Sequence, residues 1–348
     1  MKIAIIGPAF FGYLARLADD LSARGFAAEF IDELPSNKVA SKVFTRLAPK
    51  AVRNRSAREF YDAMYRRLVD ENFTHLVLVS VEMFPASLTA KLAARGVHVV
   101  RYAWDSNRNK PHGLALDPFA EKVASFDPQD CETYGYEYVP LYSNLSPADG
   151  EEDRSTDFSY CTTFHSQRPA WVDRLLKACE ANGWSHDFML FYHSRPLWFA
   201  RFAAHPRLWH LAKHISTTPF PPKRIKQATA RSRVVVDIHH HGQAGLTMRT
   251  FEAISQGCAV LTTNPRAKAA LPLGLADRVA LLRRESCEAD MRAALEIALP
   301  PLTAEQRYYI SNARFADQII ALLGLSPCED ASAAKSHESD HAPVPHQD

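Results

Sequence analysis

The chain contains no run of about 20 apolar residues, so nothing in it reads as a membrane-spanning helix. Its six cysteines, at 131, 161, 179, 258, 287 and 328, show no CxxC spacing. That argues against a disulfide frame or a zinc site and for reduced thiols in a cytoplasmic protein. A formal net charge of +2 over 348 residues is too small to argue for nucleic acid. No GxGxxG follows a strand-like run, and no Asp-x-Asp does either. The amino terminus, Met1-Lys-Ile-Ala-Ile-Ile-Gly7, is too short and too strand-like for a signal peptide. What is present is 47% apolar and 23% charged residues, a globular composition, at a length that suits two domains.

Lys2–Gly7 reads as a first buried parallel strand, followed by the loop Gly7-Pro-Ala-Phe-Phe-Gly12 and an amphipathic helix from Tyr13 to Gly25. Ala27–Asp32, Thr74–Ser80, Val97–Tyr102 and Lys122–Phe126 are further strands, with a helix over Ala86–Gly96. Tyr138–Tyr142 closes this unit, and the polar, acidic stretch 146–156 reads as a linker. A second α/β unit follows, with strands at Asp157–Thr162, Phe188–Tyr192, Val234–Val236, Cys258–Thr262 and Arg278–Leu282. Helices are expected over Trp171–Asn182, near 248, from Ser286, and over Thr303–Leu323. Pro196–Lys226 is aromatic and proline-rich, and no element is assigned to it. The tail, 327–348, is polar, lacks apolar periodicity and reads as disordered. Strands alternating with helices argue for parallel sheets. The expected fold class is α/β, two Rossmann-like doubly wound domains (1–145 and 157–326) facing a cleft lined by carboxyl-end loops.

The richest stretch is Asp237–Gly257, DIHHHGQAGLTMRTFEAISQG, set between the apolar runs Val234–Val236 and Cys258–Thr262. It reads as strand, polar loop, short helix, strand. Gly245 loosens the loop, and Thr247 or a neighbour can cap the helix with its hydroxyl. Backbone N–H groups and the positive dipole end at such a start form an anion site. Arg249 and Glu252, three residues apart, share a helix face. Arg249 can grip a phosphate through its planar fork, and Glu252 can accept hydrogen bonds from a ribose diol.

The same residues, Gly245-Leu246-Thr247-Met-Arg249-Thr250-Phe-Glu252, then Gly257 and a strand ending in Thr262-Thr263-Asn264, resemble the donor-site signature of GT-B glycosyltransferases. The resemblance is nearest to the spore-maturation and capsule or lipopolysaccharide group of bacterial family-1-like enzymes. Trp104-Asp105-Ser106, Phe126-Asp127-Pro128 and Tyr138–Tyr142 follow that group's order, so that the likeness runs over residues 1–320. Many such enzymes carry a second Glu eight residues before the ribose-binding one, and here that position is Ala244. The resemblance therefore supports Glu252 alone and leaves retaining or inverting stereochemistry open. It implies a nucleotide-sugar donor in the second domain, a glycan or lipid-linked acceptor in the first, and no metal or other cofactor, consistent with the lack of Asp-x-Asp.

Asp105 follows a strand, where it can act as general base for an acceptor hydroxyl, with Trp104 beside it on the side the resemblance gives to the acceptor; binding without catalysis and capping a turn are its alternatives. Gly7, Phe10 and Phe11 are acceptor-side candidates in a glycine loop whose aromatics can stack on sugar or lipid. The NAD-dependent oxidoreductase alternative would need a tighter glycine motif, although Asp32 nominally supplies its acidic residue. Thr163, His165 and Arg168 follow the first strand of the second domain and can approach a diphosphate, with Arg168 equally readable as a helix-start residue; Lys223-Arg224 reads first as a solvated charge pair and second as a phosphate contact. Among His239-His240-His241, adjacent histidines turn poorly toward one ion and have no partner at metal spacing; His241 is instead a donor-contact candidate. Between Lys38 and Arg67 nine Lys/Arg face two acids, Glu59 and Asp62, among interleaved apolar residues. That stretch reads first as simple surface helices; as the alternative it can rest on anionic lipid and make the protein peripheral on the inner face of the cell membrane, with nucleic acid the weakest reading. A catalytically silent nucleotide- or sugar-binding protein of the same fold is the remaining alternative.

Overall fold

The computed structural model describes residues 1–9, 12–34, 50–145, 154–164, 167–196, 198–199 and 206–326, with only the backbone at 50–54 and 206–208. Phe10, Phe11, His165, residues 38–49 of the basic stretch, most of the linker and the tail 327–348 lie outside the described residues. Among the described residues no helix is long and apolar enough to cross a membrane.

Two compact units account for the chain. Unit one comprises Met1–Val139 and the chain from Asn312 on, and unit two Pro140–Ser311. Unit one begins with β1 (Lys2–Gly7), α1 (Tyr13–Ser22), β2 (Ala27–Asp32), α2 (Lys50–Asp70), β3 (His75–Val79), α3 (Ala86–Ala93) and β4 (His98–Ala103). It continues with β5 (Lys122–Ser125), α4 (Pro128–Tyr134) and the short β6 (Glu137–Tyr138). The strands form one parallel sheet in the order β2-β1-β3-β4-β5-β6. Every residue of β3 is buried, as expected for a strand covered by helices on both faces.

Unit two holds β7 (Thr156–Thr163), α5 (Arg168–Asn182), β8 (His186–Phe191), a 3-10 helix over Pro206–His214, and β9 (Ile215–Ser216). After these come α6 (Pro222–Ala230), β10 (Ser232–Asp237), α7 (Met248–Ser255), β11 (Ala259–Thr262), β12 (Val279–Leu281), α8 (Cys287–Leu295) and α9 (Ala304–Tyr309). Its sheet, also parallel, runs β12-β11-β10-β7-β8-β9. The aromatic segment without a sequence assignment thus supplies a 3-10 helix, an edge strand and α6. Pro222 falls at the first position of α6, where a missing N–H costs nothing.

Two boundaries differ from the sequence reading. The division falls at Val139, ahead of 145, because Tyr142 and Ser143 are buried in unit two. There the Ser143 N–H donates to the Ile310 carbonyl at 2.7 Å, and its hydroxyl bonds that of Ser255 at 2.8 Å. The helix read as Thr303–Leu323 is two helices, α9 and α10 (Asn312–Leu322), and α10 belongs to unit one. Phe315 on α10 packs edge-on against Tyr102 at 5.0 Å, and Arg24 pairs with Asp317 at 2.8 Å. The basic helix α2 buries Tyr61, Met64 and Leu68 in the core of unit one. Its apolar face is therefore committed to the fold, and charge alone is left for a membrane.

Candidate functional site

In each sheet the connections reverse direction once, between β1 and β3 and between β10 and β7. Loops leaving adjacent strands part to opposite faces at such a point, which opens a crevice at the carboxyl ends where ligands bind in open α/β sheets. Thr163 ends β7 and Arg168 opens α5 after it, while His241 and Gly245–Thr247 lie in the loop after β10 and Arg249 and Glu252 on the α7 that follows. Gly7 ends β1 and Ser80 follows β3. Trp104 and Asp105 follow β4, one strand away from the reversal in unit one.

In unit two the centre of the arrangement is Asp237, the last residue of β10. Its Oδ2 accepts hydrogen bonds from the Thr247 and Thr250 hydroxyls, both at 2.8 Å. The expected hydroxyl cap is thus absent: Thr247 occupies the N-cap position of α7, yet its side chain makes no cap bond. The nearby carboxylate, a charged acceptor, takes that hydroxyl instead. The start of α7, with its positive dipole end, therefore carries no side-chain cap. Thr250 is 1% exposed, so its side chain holds the loop in place rather than facing solvent. Leu246 is likewise buried in the core.

Asn264, just past β11, holds the other side of the loop. Its Nδ2 donates to the carbonyls of Ala244 at 3.0 Å and Gly245 at 3.2 Å, and its Oδ1 accepts from the Arg266 N–H at 3.0 Å. On α7, Arg249 Nη1 lies 3.2 Å from Glu252 Oε2, and both side chains are mostly buried. The two residues proposed for phosphate and ribose are thus a pair in this structure. Burial pushes the Cys161 thiol on β7 up, and the Arg249 guanidinium opposes that shift.

A cavity of about 200 Å³ opens beside this loop, lined by Arg168, Trp171, His239, His240, His241 and Thr263 among others. Arg168, at the start of α5, donates to the Thr163 carbonyl at 3.4 Å, and the Arg284 guanidinium lies 5.6 Å over the Trp171 ring. The three histidines point to different partners. His239 Nδ1 is 2.8 Å from the Thr263 hydroxyl, and burial holds its ring below the ordinary histidine range. His240 and His241 stack on one another at 4.5 Å. Among the described residues no group of three or more His, Cys, Asp or Glu could hold a metal ion. Arg224 is engaged with Asp187 at 2.7 Å.

In unit one, Ser80 adopts a left-handed backbone conformation, φ 43°. Its hydroxyl accepts from the N–H groups of Trp104 at 2.7 Å and Asp105 at 3.3 Å. It thereby fixes the turn that carries Asp105, which is half-buried. Trp104 packs edge-on against Tyr13 at 6.5 Å. Gly7 has a steric role: a Cβ there would lie 2.6 Å from the Val79 carbonyl oxygen and 2.6 Å from Leu14 Cδ1.

Sequence reasoning missed Asp237, Asn264, Ser80 and Glu33. Asp237 and Asn264 stand in the stretches it quoted, and hydroxyl residues ten and thirteen positions after a strand-terminal Asp were the available signal. Glu33 is almost completely buried at the end of β2 and accepts from the N–H groups of Glu82 at 2.9 Å and Met83 at 3.2 Å. Nothing local to Glu33 marks partners 49 and 50 residues away.

No family model matches this chain, and no curated protein sequence matches it. Among solved structures it is similar to a UDP-GlcNAc 2-epimerase of Methanocaldococcus jannaschii, solved with UDP-GlcNAc and UDP. The two are 11% identical over 93% of this chain and 99% of that one, with a TM-score of 0.56. It is also similar to the lipopolysaccharide outer core galactosyltransferase WaaB, 14% identical over 93% of this chain and 99% of that one, TM-score 0.56. A UDP-GlcNAc 2-epimerase from Neisseria meningitidis bound to UDP-GlcNAc is 10% identical over 93% and 99%, TM-score 0.57. The chain thus has the two-domain Rossmann-like GT-B fold that glycosyltransferases and UDP-GlcNAc 2-epimerases share.

Proposed function

We propose that this chain binds a nucleotide-sugar and transfers the sugar to a bacterial glycan or glycolipid acceptor. The observation that carries the reading is the uncapped start of α7, held at the switch point of unit two by Asp237, with Arg249 and Glu252 on the same helix. Charge develops on the leaving diphosphate as the glycosidic bond breaks. Arg249 and the α7 dipole would stabilise it most in the transition state, which raises the rate rather than only the affinity. Glu252 would anchor ribose. Because the ion pair already orders both side chains, less rotamer entropy is lost on binding. Thr163, Arg168 and His241, with His165, would contact the rest of the donor. Asp105 would take the acceptor proton, beside Gly7, Trp104, Phe10 and Phe11. No metal or other cofactor is assigned a role.

The solved 2-epimerases of the same fold favour one second reading, a UDP-sugar epimerase that needs no acceptor. Thermal shift with UDP-, GDP-, dTDP- and CMP-sugars separates these readings from others, with Arg249→Ala and Glu252→Ala as controls. Stabilisation by one donor class, lost in both variants, is expected; stabilisation by NAD that neither variant alters overturns the reading. NMR of the incubated donor then distinguishes a C2 epimer from acceptor-dependent transfer. Transfer lost in Asp105→Asn with donor binding intact marks the base, and a bound donor that stays unchanged with every acceptor marks a silent binder.

A further inference from the structure

The cavity of about 200 Å³ beside the loop after β10 is lined by Arg168, Trp171, Thr263 and all three histidines. That volume falls short of the roughly 300–1,000 Å³ that encloses a whole drug-sized ligand, so the cavity suits one group of a larger molecule. Among the described residues no Asp or Glu lines it. Arg284, which lies over the Trp171 ring, donates to Gln167 Oε1 at 3.2 Å. Asp237, two residues before His239, gives its Oδ2 to the Thr247 and Thr250 hydroxyls. The lining therefore offers N–H donors and positive charge, which suit a phosphate group.

His239 is the donor whose proton is fixed. Its backbone N–H donates to Thr263 Oγ1 at 3.1 Å, and its Nδ1 lies 2.8 Å from the same oxygen. A hydroxyl has one proton to give, and among the described residues no acceptor other than Nδ1 is in its reach. Thr263 thus donates to Nδ1, which leaves the ring proton on Nε2. Among the described residues Nε2 has no partner. Burial, opposed by Asp237 and helped by His240 and His241, holds the ring below the ordinary histidine range, so it is uncharged at neutral pH. His240 follows the same pattern, its Nδ1 accepting from the Gly242 N–H at 3.2 Å.

We propose that His239 binds a phosphate oxygen of the donor diphosphate in this cavity through its Nε2–H, and that Thr263 is the positioning residue that fixes the tautomer. The choice of a diphosphate rests on the nucleotide-sugar reading, whereas the phosphate chemistry rests on the cavity alone. A donor fixed in this way needs neither proton uptake nor a tautomer change when the ligand arrives, so less is lost on binding.

The test is NMR correlation of isotopically labelled histidine ring nitrogens in the full chain at neutral pH, His239 being the signal that His239→Gln removes. One tautomer, protonated at Nε2, is expected in the wild type. Thr263→Val should mix the two tautomers, and Thr263→Ser should restore one. Titration with UDP or with inorganic pyrophosphate should shift the His239 Nε2 signal. By calorimetry His239→Phe should bind both on the order of 10- to 100-fold more weakly. The wild-type titration reads the proposal even if a variant misfolds. A charged or Nδ1-protonated His239 overturns it, as does binding that leaves the signal unmoved, or no binding of either probe. Pyrophosphate binding that moves the signal while no nucleotide-sugar binds upholds the site and sinks the donor reading. Nucleotide-sugar binding with the signal unmoved does the reverse.

Discussion

The Asp237 carboxylate accepts a hydrogen bond from the Thr250 hydroxyl at 2.8 Å, joining the end of β10 to the first turn of α7. Both residues are buried, and the same oxygen also accepts from Thr247. This clasp, rather than a side-chain cap, sets where α7 begins.

Thr250→Val removes one donor from a buried carboxylate and should cost about 1–3 kcal/mol. Urea unfolding measures it, and a double-mutant cycle with Asp237→Asn should give a coupling on the order of 1 kcal/mol. Zero coupling would show that the two side chains act independently.

Asn264→Ala leaves the Ala244 and Gly245 carbonyls without their side-chain donor. Stability should fall by about 1–3 kcal/mol, and the loop before α7 should exchange its amide hydrogens faster. Unchanged exchange over 238–247 would mean that Asn264 does not hold the loop.

Gly7→Ala places a methyl group 2.6 Å from a backbone oxygen that has little freedom to move. Overpacking of this kind costs about 1–3 kcal/mol, so the melting temperature should drop. Gly12→Ala is a useful contrast, since a Cβ there meets nothing within 4 Å and only its φ of +75° opposes the change.

Burial raises the Glu33 carboxyl above the ordinary carboxylate range, against the lowering effect of the Met83 and Glu82 N–H bonds. The folded chain thus binds this proton more tightly than the unfolded chain. The stability involved is present at low pH and is lost as pH rises from near 4.5 through the raised value. Glu33→Gln keeps a carbonyl oxygen for the two N–H groups and cannot ionise. Its advantage over wild type, followed by chemical denaturation, should therefore grow with pH across that interval and then level off. A difference that stays flat with pH would refute this.

Much of the fold was legible because parallel strands covered on both faces leave continuous apolar runs such as Leu76–Val79 and Val234–Val236. Element ends were less legible. Thr303–Leu323 keeps one apolar periodicity through Ile310 and Ser311, yet the helix stops there, where Ile310 and Ser143 share a backbone bond. The site was legible as a segment and not as a set of contacts. Arg249 and Glu252 were readable as helix neighbours, but not that each is the other's partner.

Two properties followed from the sequence alone, because each depends on residues near one another in the chain: the alternation that makes two parallel sheets, and the loop-to-helix segment Asp237–Gly257. Tertiary structure decided the rest. It assigned α10 to unit one through Phe315 on Tyr102, turned Thr247 from helix cap to Asp237 ligand, and left Phe199 and Trp209 facing outward while Leu211 was buried. Each outcome is a competition among partners far apart in sequence, won by burial and by the strongest available acceptor, and no local pattern records it.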